Sequence, residues 1–334
     1  MAENPMLLNA LLFIAGFVLL TGGAEFLVRG ASRLAARFNV SHVVIGLTIV
    51  AFGTSLPELL VSLVANLEGN GGSEIAIGNI VGSNIANLGL ILGLAGLLAV
   101  IPVERHLIRR EYPLMILVSV IFIAMAWNGQ IGRWEGVILV IGLVAFTFYS
   151  YTNNRPDPSE GELALEVMDA IDSDIGQVST HPVADGLFVL LGIAALAIGA
   201  NWLVDSARFI AVTAGVSELV IGLTLVALGT SLPELATTLI AVYRNQGDIA
   251  VGNVVGSNLF NMMMIGGVSS LIRPLPVPTH MSSFDFPVML GITVIGYLLV
   301  VGRPHRIARW QGGVLFLCYV AYIGLLFWIN GGPA

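Results

Sequence analysis

The stretch Gly46 to Ala65, GLTIVAFGTSLPELLVSLVA, returns as Gly222 to Ala241, GLTLVALGTSLPELATTLIA, with 14 of 20 positions identical. Each copy sets one glutamate, Glu58 or Glu234, inside an apolar run long enough to cross a bilayer. A carboxylate at that depth is costly and marks a functional site by default. Its recurrence, each time one residue after a proline, argues against accident.

The rest of the chain has the same character. Of its 334 residues 56% are hydrophobic and 10% charged, with a mean hydropathy of +0.90. Soluble domains carry roughly 25% charged residues, so the composition predicts an integral membrane protein surrounded by lipid. All 14 basic residues are arginine and the net charge is −7, with no basic cluster of the kind that binds nucleic acid. The single cysteine, Cys318, excludes an internal disulfide. No organic cofactor is expected.

Dividing the chain into runs of about 20 apolar residues predicts an all-α fold of ten transmembrane helices. They lie near 6–28, 42–67, 74–100, 111–128, 133–151, 184–204, 217–243, 248–271, 284–302 and 309–330. Residues 152–183 form an acidic link between a first five-helix repeat, 1–151, and a second, 184–334. The link carries seven acids: Asp157, Glu160, Glu162, Glu166, Asp169, Asp172 and Asp174. With ten spans both termini share one side. The loops on the opposite side hold 11 of the arginines and the terminal-side loops only 3 (Arg133, Arg208 and Arg273). Arginine-rich loops stay in the cytoplasm, so the expectation is a plasma-membrane protein with both termini outside and the acidic link inside.

The repeat offset is 176 residues from Gly46 to Gly222, and already holds where GAEFLV at 23–28 matches GANWLV at 199–204. A second motif, IAIGNIVGSNIANLGLILG from Ile75, matches IAVGNVVGSNLFNMMMIGG from Ile249 at an offset of 174. Five spans per half is an odd number, so the second copy enters the membrane from the opposite face. Inverted-topology repeats are the signature of alternating-access secondary transporters, with the binding site near the midplane where the repeats meet.

The motif GTSLPE has the chemistry of a cation site. Pro57 and Pro233 have no N–H to offer the carbonyls of Gly53 and Gly229, so each bends its helix and frees main-chain oxygens. Thr54, Ser55, Thr230 and Ser231 add hydroxyls on the same turn. Glu58 and Glu234, four residues after each threonine, lie on its face. The second motif contributes Ser83 and Asn87 on one helix face, and Ser257 and Asn261 on its counterpart. Asn84 and Asn258 point elsewhere and read as structural. Oxygen ligands with two formal negative charges suit Ca²⁺, or more than one Na⁺, better than Mg²⁺ or Zn²⁺. Protons are competitors, because two carboxylates held close together in low dielectric resist ionising together. Glu25, matched by Asn201, is expected to pair with Arg29 at the interface, and Asp205 and Asp285 read as span-end residues.

GTSLPE followed by GN-x-VGSN, twice at this spacing, resembles the cation/calcium antiporter superfamily, and within it the prokaryotic sodium/calcium exchangers. The resemblance covers nearly the whole chain. It implies exchange of Ca²⁺ for Na⁺, with spans 1 and 6 moving past a core of the other eight. By the same resemblance, Glu58 and Glu234 are the carboxylates shared by both ions, and Thr54 and Thr230 contribute carbonyl and hydroxyl oxygens. Ser55, Ser231, Ser83, Ser257 and the carbonyls of Ala51 and Ala227 match flanking Na⁺ ligands. Some relatives carry Asp at one of the positions held here by Asn87 and Asn261, and potassium-dependent members use Asp at the latter. Asparagine at both argues against K⁺ coupling. A Ca²⁺/H⁺ antiporter using the same glutamates is the alternative, and a single chain supplies the whole ligand set.

Overall fold

A computed structural model describes residues 5–38, 40–68, 72–153, 182–214, 229–302 and 305–330. The acidic link, apart from its first and last two residues, and Ala227 therefore lie outside the described residues. Helix dominates, as the hydropathy pattern requires. The chain order is α1 (Pro5–Arg37), α2 (His42–Thr54), α3 (Leu56–Glu68), α4 (Ser73–Leu98) and α5 (Tyr112–Met125), then α6 (Arg133–Asn153) and α7 (Pro182–Thr213). It continues through α8 (Leu232–Tyr243), α9 (Gly247–Ile272), α10 (Met281–Val300) and α11 (Arg309–Asn330).

Among the described residues seven helices are long and apolar enough to span a bilayer, and the pair α2 and α3, bent by 44° at Ser55, makes an eighth. The helices α5 and α8 are apolar but only 14 and 12 residues long. Among the described residues, four two-residue strands accompany the helices: β1 (Ile101–Pro102), β2 (Gln130–Ile131), β3 (Leu275–Pro276) and β4 (Arg306–Ile307).

The residues pack as two compact units, each drawing on both halves of the sequence. One comprises Met1–Thr54 with Ala145–Asn253, the other Ser55–Val144 with Val254–Ala334. In the first unit α1 lies antiparallel along α7, and glycines set the distance. A Cβ on Gly16 would sit 2.9 Å from the Gly199 carbonyl, and one on Gly23 2.9 Å from the Gly192 carbonyl. Gly16 and Gly192 are 176 apart, as are Gly23 and Gly199, so the two close contacts are one contact generated twice by the repeat. Small residues allow this backbone approach where lipid provides no hydrophobic drive. Leu20, Ala24, Leu27 and Ala31 complete the seam against Val189, Leu196 and Ala200, while Leu11, Ile14, Phe17 and Val18 stay exposed.

Charges tie α1 to the end of α8 and to the start of α7. Arg29 and Arg244 both pair with Glu25, Arg244 Nε at 3.2 Å from its Oε2. Asp185 at the start of α7 is buried and accepts from Arg37 Nε at 3.0 Å, with Arg33 3.9 Å away. The expected Glu25–Arg29 pair is therefore present, and Arg244 joins it.

The second unit is held by Tyr112, Phe122, Phe286, Ile77, Ile80 and Leu88, all essentially fully buried. Phe122 and Phe286 meet edge to face at 6.2 Å, a favoured aromatic geometry. The strands pair crosswise between the sequence halves: β1 runs antiparallel to β4 and β2 to β3. Glycine again permits close packing, Gly312 against the Gly93 carbonyl and Gly136 against the Gly267 carbonyl. These contacts too are repeat equivalents.

Candidate ion-binding site

The polar motifs sit on helices whose regular path is interrupted. Helix α2 ends at Thr54 and α3 restarts at Leu56, with Pro57 in its first turn. The second copy does the same: α8 begins at Leu232 after Ser231, whose φ of −89° and ψ of 6° leave the helical range. Proline explains both restarts, since its ring fits the first turn of a helix and not the interior. Glu58 and Glu234 thus occupy the opening turn of a new helix, where the positive end of the helix dipole favours a carboxylate. Each is 1% exposed. Ser-x-x-Glu, present at Ser55–Glu58 and Ser231–Glu234, is also a helix-start pattern. That signal anticipates a full break where the proline alone suggests a bend. The Ser231 hydroxyl nevertheless makes no capping bond.

Thr54, Ser55 and Ala51 are 0% exposed and Ser231 3%, and Thr230 is half-buried. The Thr54 hydroxyl donates toward the Ala51 carbonyl at 3.3 Å and toward Asn253 Oδ1 at 3.2 Å. Ser83 and Ser257 are buried, at 4% and 0% exposure.

The structure gives Asn79 and Asn253 a function the spacing did not assign. In the second unit Asn79 Nδ2 donates to the main-chain carbonyl of Glu58 at 3.2 Å and to Ser62 Oγ at 3.0 Å. In the first unit Asn253 Nδ2 donates to the carbonyl of Glu234 at 3.5 Å and to Thr238 Oγ1 at 3.1 Å. Each GN-x-VGSN motif therefore grips the backbone of one glutamate, through the same atoms in both copies. Ser62 and Thr238, each four residues after a glutamate, were visible in the sequence as an aligned hydroxyl pair.

Asn87 and Asn261 each open a π-helical turn, Asn87–Leu92 and Asn261–Ile265, a distortion common at functional sites. Both are 1% exposed. Their Nδ2 atoms donate to Asn258 Oδ1 at 3.0 Å and Asn84 Oδ1 at 3.1 Å respectively. Their own Oδ1 atoms are buried and accept no hydrogen bond among the described residues. An orphaned buried acceptor costs about 1–3 kcal/mol, which a cation or ordered water would relieve. Among the described residues, the helices carrying these motifs, α9 and α4, are the most enclosed of the apolar spans. The methionine run Met262–Met264 is buried as well.

A further pair of acids is buried, one of them Asp285, which the sequence presents only as a span-end residue. Glu111 and Asp285 are repeat equivalents at the offset of 174, and each is followed two residues later by proline. Glu111 is fully buried with His106 Nδ1 3.3 Å away. Asp285 is also buried, and accepts from the Tyr322 hydroxyl at 2.9 Å.

Comparison with known proteins agrees with this geometry. A family model described as "Sodium/calcium exchanger protein" matches residues 8–152 and 186–328. Inner membrane protein YrbG of Escherichia coli is 37% identical over 329 residues, covering 97% of this chain and 98% of that protein. Sodium/calcium exchanger MaX1 of Methanosarcina acetivorans is 37% identical over 349 residues, covering 96% and 99%. Among solved structures, the sodium-calcium exchanger NCX_Mj soaked with zero Na⁺ and Ca²⁺ superposes with a TM-score of 0.82 at 32% identity, covering 96% of this chain and 99% of that one. With both halves matched and the fold shared, this membrane protein belongs to the sodium/calcium exchanger family.

Proposed function

We propose that the chain is a secondary antiporter that exchanges Ca²⁺ for Na⁺ by alternating access. Both ions are held near mid-membrane where the two repeats meet, and ten spans form two inverted five-helix repeats, 1–151 and 184–334. The observation that carries this reading is the pair of buried glutamates, each opening a helix after a break and each gripped at its own carbonyl by a repeat-related asparagine. The crosswise strand pairs and the mirrored glycine contacts of α1 and α7 support a two-fold relation between the repeats.

The ligands in this reading are Glu58 and Glu234, the oxygens of Thr54, Thr230, Ser55 and Ser231, the carbonyls of Ala51 and Ala227, and Ser83, Ser257, Asn87 and Asn261. The set is all oxygen, which suits hard cations of the size of Ca²⁺ and Na⁺. Because both ions use the same two carboxylates, they exclude one another, and each return step requires the other ion. That enforces exchange. The long helices α1 and α7 are the moving pair, both termini lie outside the cell and the acidic link lies in the cytoplasm.

Glu58→Gln and Glu234→Gln each remove one charge while keeping the shape of the side chain. Either change is expected to abolish Na⁺-driven Ca²⁺ uptake into proteoliposomes while gel-filtration profile and helix content are retained. Near-wild-type uptake by either folded variant would sink the assignment.

A further inference from the structure

We infer that Asn84 and Asn258 are positioning residues, which turn the amides of Asn87 and Asn261 so that their carbonyl oxygens are offered to the transported cation. This rests on the reading of Asn87 and Asn261 as ligands. A terminal amide has an acceptor oxygen and a donor NH₂ of nearly the same size. Rotated by half a turn, it would present N–H hydrogens to a cation and repel it. Something must therefore fix the rotation.

The four asparagines do so within one compact unit, all of them 1% exposed. Asn87 Nδ2 donates to Asn258 Oδ1, and Asn261 Nδ2 donates to Asn84 Oδ1. Both pairs are shifted by 174 residues, so this is a single hydrogen bond applied twice by the repeat. A rotated Asn87 would bring its oxygen against the Asn258 oxygen. The Oδ1 atoms of Asn87 and Asn261, left without an acceptor bond, are the ones turned away from the anchoring partners.

The anchors are themselves oriented. Asn258 Nδ2 donates to the main-chain carbonyl of Asn84 at 3.4 Å, and Asn84 Nδ2 to Met289 Sδ at 3.8 Å. With their NH₂ groups engaged there, both anchors present oxygen to the ligand amides. The arrangement is crossed: the asparagine of GSN in one half sets the ligand amide of the other half. Simple interhelical adhesion would not require that the bonds single out one amide orientation.

The test is a double-mutant cycle on the full-length protein in detergent, reading half-saturating Ca²⁺ by equilibrium ⁴⁵Ca²⁺ binding and the melting temperature without added ions. Asn258→Leu keeps the bulk and removes the acceptor, and is expected to raise half-saturating Ca²⁺ about fivefold, the weight of one neutral buried hydrogen bond. It should add little to the effect of Asn87→Ala, through which it acts, and its full effect to that of Asn261→Ala. The mirror cycle, Asn84→Leu with Asn261→Ala, gives the same result and serves if Asn258→Leu does not fold. Equal additivity with both ligand variants, or a lowered melting temperature with unchanged Ca²⁺ binding, would overturn the positioning role. A wild-type protein that binds no Na⁺-displaceable Ca²⁺ would instead overturn the exchanger reading, and this inference with it.

Discussion

Two adjacent glycines on α1 should respond to alanine with opposite signs. Gly22 has nothing within 4 Å of where a Cβ would stand, whereas a Cβ on Gly23 would lie 2.8 Å from Leu196 N and 2.9 Å from the Gly192 carbonyl oxygen. At Gly22 the substitution relieves the helix-interior penalty of glycine, a gain of about 0.5–1 kcal/mol. At Gly23 the same gain is available, but carbon needs about 3.5 Å from its neighbours, so α1 and α7 must separate by roughly 0.6 Å. The obstructing atoms are backbone and cannot swing aside. Overpacking of this kind costs about 1–3 kcal/mol, leaving Gly23→Ala destabilised by up to about 2.5 kcal/mol and some 2 kcal/mol below Gly22→Ala. Thermal unfolding of the two purified variants in one detergent measures the difference directly. A Gly23→Ala protein that melts at or above Gly22→Ala would refute the close α1–α7 contact and the mirrored packing deduced from it.

Asp185→Asn leaves Arg33 and Arg37 without their shared buried acid. Removing one partner of a buried pair costs about 3–5 kcal/mol, reduced here because Arg37 is about one-third exposed. A clear fall in melting temperature, partly restored by adding Arg37→Gln, is the expected result. The orientation is tested on a Cys318→Ala background with Asp169→Cys. A membrane-impermeant maleimide should label it in inside-out vesicles and not in right-side-out ones, and the reverse pattern contradicts the arginine count.

The internal repeat was legible in the sequence because it is written in the offsets. The values 176 and 174 pair Gly16 with Gly192, Asn79 with Asn253 and Asn87 with Asn261 before any coordinates are known. Burial of Glu58 and Glu234 was likewise readable from their apolar surroundings. Other features left no such trace. A π turn at Asn87 or Asn261 adds one residue to a helical turn without changing composition, so periodicity passes through it. Strands of two residues are too short for an alternating pattern. The roles of Asn84 and Asn258 needed the opposite helix, because their bonds run between residues more than 170 positions apart. Asp185 was missed because it sits beside the acidic link, where one more carboxylate looks ordinary, and only packing shows that it is buried between α1 arginines.

The most direct test of the account is ⁴⁵Ca²⁺ uptake into proteoliposomes of the purified protein, driven in parallel by an outward Na⁺ gradient, an outward H⁺ gradient and an outward K⁺ gradient. The account predicts saturable uptake with the Na⁺ gradient, none with K⁺, and loss of the Na⁺-driven signal in Glu58→Gln and Glu234→Gln. Uptake driven by H⁺ and indifferent to Na⁺ would contradict it, retaining the glutamates and making the protein a proton-coupled antiporter.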